Sequence, residues 1–281
     1  MTAATSYPSR VLAGVMSEAE FFGFLATYAV PEDRGNPIDA LRQRWRESRA
    51  ALAAWPAHEP AQAEDWDPAW GDPRALEDRP GVSALRRQHP DAAFCSAPVS
   101  ALVAVHPSLD LDQVEYWASR LGAGGGLAAP ESNVAPVGFH LLEDSRAVEV
   151  RAAYALLGAY FTAEASPETP LPHVGLHWQP GLNLIQVGHL GDRLVLINGH
   201  HRAFAIARAG AARIPCITYA VEDLAVVGVS SGGATDAGIR SERPPLLAHY
   251  LDPRIAVAVQ LRRSTRVVRL SISEETVQER S

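Results

Sequence analysis

Between Leu194 and Ile217 the chain reads LVLINGHHRAFAIARAGAARIPCI. A short apolar run ends at Asn198-Gly199, two histidines and an arginine follow at once, an alanine-rich stretch runs to Gly210, and a second apolar run opens at Ile214. The pattern predicts strand, polar turn, helix and strand, with two histidines and an arginine clustered at the turn. A helix beginning there leaves its first backbone N–H groups without intrahelical partners and turns the positive end of its dipole outward. Gly199 would let a ligand approach the main chain, and Arg202 and His201 add side-chain donors. Asn198, Gly199, His201 and Arg202 are therefore the candidate phosphate or carboxylate cradle. The simpler alternative is a solvated turn in which Asn198 only caps the helix.

Gly199-His200-His201-Arg202, Gly210 and Ile214-Pro215-Cys216 resemble the signature of the ParB/sulfiredoxin superfamily. In that superfamily a Gly-x-x-Arg turn joins a strand to a helix, and a Gly and an Ile/Val-Pro step lead into the next strand. Asn198-Gly199-His200-His201-Arg202-Ala203-Phe204 is similar to the Asp-Gly-His-Thr-Arg-Ala-Phe pattern of the ADP-dependent free serine kinases. Upstream, APVSALVAVHPSLDLDQVEYWASRL (97–121) resembles the first strand and helix of the same fold. The resemblance implies an α+β protein with a mixed ParB/sulfiredoxin-like sheet, and a nucleotide at the turn: ATP or ADP with Mg²⁺ in the kinases, CTP in ParB proteins. There are departures. His200 stands where sulfiredoxins keep their reactive cysteine, so sulfinic-acid repair is not expected. Asn198 replaces the kinases' Asp and His201 their Thr.

Composition narrows the field. Of 281 residues 47% are hydrophobic, enough for one large core or two modest ones. A formal charge of −7 argues against a generic nucleic-acid or membrane-surface binder. Seven arginines between Arg240 and Arg269 read as a solvated face of a strand pair. No apolar run reaches bilayer length and no secretory apolar core opens the chain, so a cytoplasmic protein is expected. Cys95 and Cys216 lie far apart in apolar runs, which gives no disulfide framework and reads as two core thiols.

Along the chain, three segments are expected. Residues 1–92 form an N-terminal helical segment, with helices over 16–29 (Ser17 and Glu20 as a capping box) and 36–54, and an acidic loop at 56–80 that carries prolines, Trp66 and Trp70. Residues 93–228 form the core: a strand over 94–105, a helix over 110–121, a glycine hinge at 122–126, a helix over 147–163, a proline-rich loop over 167–180 and a hairpin turning at Gly191-Asp192. Residues 229–281 form a C-terminal extension with strands over 256–261 and 266–272.

His200 and His201 are candidate acid/base groups, since a free imidazole titrates near working pH. Glu131 is the candidate base among the carboxylates Glu131, Glu143, Asp144, Glu164 and Glu168. His106, at the end of the first core strand, and His177 with Trp178, in HVGLHWQP, are candidate substrate contacts. His173 and His177 have the i, i+4 spacing of a helical metal pair, but Pro172, Gly175 and Pro180 oppose a helix, and no metal site is assigned. The expected function is nucleotide-dependent phosphotransfer to a small hydroxyl-bearing molecule. The alternatives are a ParB-like nucleotide-binding regulator and a histidine-based small-molecule enzyme, with or without a metal, on the same fold.

Overall fold

The computed structural model describes residues 6–30, 38–77, 80–121, 138–142, 147–151, 156–162, 173–178, 184–223, 236–262 and 267–271. They form an α+β chain in two compact units: Met1–Ala129 with Asn183–Arg263, and Pro130–Leu182 with Ser264–Ser281.

The first unit is built on a mixed sheet of β2 (Glu64–Asp65), β3 (Ala93–Pro98), β12 (Arg213–Ala220), β10 (Gln186–Leu190), β11 (Arg193–Asn198) and β4 (Leu102–Ala104), in that spatial order. β10 and β11 are the expected hairpin, turning at Gly191 in the left-handed region (φ 62). β12 runs parallel to β10, and β4 parallel to β11. The strand expected over 94–105 is two strands, divided by a 3-10 turn at Val99–Ala101. β3 pairs with β12 and β4 with β11, at opposite ends of the order. Four flat strand spacings would separate them by ~19 Å. The chain from Pro98 to Leu102 reaches at most ~14 Å. The sheet must therefore curl until two consecutive pieces of one segment flank its central strands.

Helix α5 (Leu111–Leu121) follows β5 (Ser108–Asp110), and α6 (His200–Arg208) follows β11. Asp110 begins α5 as an N-cap would, its Oδ1 accepting from the N–H groups of Asp112 (2.9 Å) and Gln113 (3.2 Å). α6 is buried along nearly its whole length, and its alanines let it lie close to the sheet. The core joins Phe204, Ala203 and Ile206 of α6 to Leu194, Leu196, Val187, Ile214 and Val114. Burying Phe204 alone is worth about 2–3 kcal/mol.

A second cluster packs α1 (Glu18–Tyr28) and α2 (Ile38–Ala53) on a three-stranded sheet of β13 (Ala256–Arg262), β1 (Ser6–Leu12) and β5. The capping box is present: Ser17 Oγ accepts from Glu20 N–H at 3.2 Å, and the Glu20 carboxylate accepts from Ser17 N–H at 2.7 Å. Leu41 and Leu52 of α2 are buried, and Trp45 donates to the Met16 carbonyl at 3.0 Å. The acidic segment folds back on the body: β2 pairs with β3, and Trp66 meets the Phe94 ring at 5.7 Å.

In the second unit, β6 (Gly138–Leu142), β7 (Ala147–Arg151) and β14 (Val267–Ser271) form one sheet, and β8 (Leu156–Thr162) pairs with β9 (His173–Trp178). This corrects the helix expected over 147–163 and the loop expected over 167–180. Val148 and Val150 alternate with Glu149 and Arg151, a period of two carried by β-branched residues, and Gly158 disfavours a helix. It also corrects the C-terminal strand pair, because β13 pairs with β1 and β14 with β7. The glycine hinge at 122–126 lies outside the described residues. Among the described residues, no helix is long and apolar enough to cross a membrane.

Candidate functional site

Two parallel neighbours deliver the site. Leu196 of β11 stands opposite Ala104 of β4, so the chain leaving each strand emerges at the same end. Ligands of open α/β sheets bind outside such carboxyl ends. His106 follows β4 and His200 follows β11. Their rings meet edge to face, with centroids 4.2 Å apart and planes at 81°.

Gly199 is the N-cap of α6, at φ 85 and ψ 23. No side chain caps the helix, whose first bond is Ala203 N–H to the Gly199 carbonyl at 2.8 Å. The amides of His200, His201 and Arg202 thus have no intrahelical acceptor. Asn198 is exposed and its Oδ1 accepts from Gly199 N–H at 2.8 Å, so it braces the turn and does not cap the helix. The glycine is explained by packing as well as by its torsion angle. A Cβ on Gly199 would lie 3.0 Å from Ile185, so Ile185 occupies the space that the sequence reading left to a ligand.

The imidazoles are held neutral. His200 is 5% exposed, and burial drives its pKa well below the ordinary value, with His106 and His201 adding to the effect. A hydrogen bond to the Leu196 carbonyl opposes this more weakly. His200 Nε2 is buried without a hydrogen-bond partner. Nδ1–H therefore meets Leu196, and Nε2 keeps its lone pair. His201 is lowered to about 4, by burial first and by His106 second. Its Nε2 accepts from Asp110 N–H at 3.1 Å, which ties the first turn of α6 to the start of α5. His106 is exposed, yet desolvation lowers its pKa too. Its own carbonyl accepts from the Tyr250 hydroxyl at 2.6 Å.

Arg202 is 6% exposed and its guanidinium lies 4.3 Å from the centre of the Trp117 ring on α5. Such a desolvated cation–π contact is worth about 2 kcal/mol. The side chain expected to grip an anion is thus also a strut between α5 and α6, together with the Arg208–Glu115 pair at 2.7 Å.

Of the residues singled out in the sequence, His106, Asn198, Gly199, His200, His201 and Arg202 come together here. His177 and Trp178 belong to the second unit, on β9 opposite Gly158 and Leu156 of β8. On a strand, His173 and His177 are ~13 Å apart along the backbone, so the i, i+4 helical spacing does not apply. Glu131, Glu143, Asp144, Glu164 and Glu168 lie outside the described residues. Among the described residues, no three His, Cys, Asp or Glu side chains are grouped to hold a metal ion. Sequence reasoning missed the Asp110 amide, Trp117 and Tyr250 as supports of the site. Asp110 was legible as a helix start, but its partnership with His201 depends on tertiary packing.

Compared with protein-family models, curated proteins and solved structures, the chain finds no match.

Proposed function

We propose that the protein is a small-molecule enzyme working at the Gly199 turn, and most specifically a nucleotide-dependent phosphotransferase of the kind its motif resembles. The observation that carries this reading is the start of α6, a helix with no side-chain cap, at the shared carboxyl end of β4 and β11 beside two neutral imidazoles. The amides of His200, His201 and Arg202 would hold phosphate oxygens, with Asn198 keeping the turn in shape. A bound nucleotide would supply the transferable phosphoryl group. His200, with its Nε2 lone pair kept from protonation, accepts a hydrogen bond from the acceptor hydroxyl and orients it. The described carboxylates do not gather for Mg²⁺. Asp110 already caps α5, so a divalent ion would come in on the phosphates, keeping waters as Mg²⁺ usually does.

Melting curves with ATP, ADP and CTP, with and without Mg²⁺, test the reading, followed by ³¹P NMR of nucleotide turnover with small alcohols. ATP or ADP at a hundredfold excess over its dissociation constant stabilises the fold by about 2.7 kcal/mol. No shift and no turnover with any nucleotide overturns it. The edge-to-face pair of His106 and His200 favours one second reading, histidine-based chemistry without a nucleotide, for which Zn²⁺ or Fe²⁺ alone would shift the melting curve. Salt-sensitive retention on DNA would instead indicate a regulator.

A further inference from the structure

Cys95 and Cys216 are 121 positions apart in the sequence and stand directly opposite each other in the antiparallel β3–β12 ladder. Directly opposed residues share a face of the sheet. Two contacts agree. The Thr218 hydroxyl, two positions along β12 from Cys216, donates to Cys95 Sγ at 3.4 Å, and Cys216 Sγ–H donates to the Cys95 carbonyl at 3.6 Å. Both thiols are free, Cys95 partly exposed and Cys216 buried. We propose that this cross-strand pair is a reversible redox site, closing to an intrachain disulfide when it meets a low-molecular-weight disulfide such as oxidised glutathione.

The spacing permits the bond and makes it labile. Opposed Cα atoms in an antiparallel pair lie ~4.5 or ~5.5 Å apart, inside the range a disulfide spans. Their Cβ atoms lie ~4.5–5.5 Å apart, at or beyond the wide limit. The bond therefore forms with strain and is readily reduced, as switches are and structural staples are not.

Accessibility sets the order of events. The Cys95 thiolate attacks the external disulfide, forms a mixed disulfide and expels one low-molecular-weight thiolate. Cys216 then gives up its proton to solvent, attacks Cys95 Sγ and expels the second thiolate. In sum the protein loses two protons and two electrons, and the external disulfide becomes two thiols. Burial pushes the Cys216 thiol pKa up, as does the neighbouring Cys95, so Cys216 serves only as the second, intramolecular nucleophile.

Intact-mass analysis of the native, fully reduced protein after incubation with oxidised glutathione tests this. Wild type loses two hydrogens, stays monomeric on a non-reducing gel, and melts higher by roughly 5 °C until dithiothreitol reverses the change. Cys216→Ser stops at a glutathione adduct on Cys95, and Cys95→Ser remains unmodified. A stable glutathione adduct on wild-type Cys95, two thiols that do not react, or closure seen only in denaturant would each overturn the proposal. The test reads no nucleotide, so its outcome is independent of the function proposed for the Gly199 turn.

Discussion

At Gly199 a torsion angle and a neighbour make the same demand. The residue sits at φ 85, where an L side chain is strained, and a Cβ there would press on Ile185 at 3.0 Å. Gly199→Ala should destabilise the fold by about 2–4 kcal/mol, combining the left-handed penalty with overpacking. Urea denaturation at neutral pH measures it, and a loss under 1 kcal/mol would mean that the turn relaxes freely. The need for glycine was legible in Asn198-Gly199 before a helical run. Its packing cause was not, because Ile185 reaches it only once β10 and β11 have paired. Arg202 teaches the same lesson. Its place in the first turn of α6 was readable, but the Trp117 ring beneath it comes from a helix far away in sequence, and pattern within one window carries no information about such a contact.

The elements that were read correctly carry their own local signals. Ser17 and Glu20 announce α1, Asp110 announces α5, and Gly191-Asp192 announces the β10–β11 hairpin. The misread stretch carried competing ones. The 147–163 stretch has enough Ala and Leu to suggest a helix, but Val148 and Val150 alternate with charged residues, and Gly158 weakens a helical interior. The α5 cap is open to test. Asp110→Ala removes the acceptor of two N–H groups but keeps the main-chain N–H that His201 uses. A loss of about 1 kcal/mol is expected, with faster amide exchange confined to the first turn of α5, and Asp110→Asn should restore most of it. Faster exchange spreading through α6 as well would show that the carboxylate holds the site together and is more than a cap.

Across the molecule, neutral histidines set the acid limit of stability. His201 and His249 are each lowered to about 4 by burial, His106 is lowered, and His200 lies well below its ordinary value. His249 Nδ1 accepts from Leu246 N–H at 3.0 Å, which also requires the neutral ring. Unfolded histidines take up protons near pH 6.5, while folded His201 and His249 resist until about pH 4, so the unfolded state gains protons first as pH falls. Their contribution is complete above pH 6.5 and is lost between there and pH 4, at about 1–2 kcal/mol for each of His201 and His249 by pH 5. Urea midpoints at pH 7 and pH 5 should differ accordingly, and His249→Gln should shrink the gap. Equal midpoints would contradict the neutral assignment. The order in which strands meet has one more result, for a chain growing from a ribosome. β1 pairs with β13, and β3 and β4 pair with β12 and β11, so early strands wait for late ones. Until Arg193–Asn198 is made β4 lacks its neighbour, and until synthesis passes Arg262 β1 lacks β13, which makes the half-made polypeptide a natural client for chaperones.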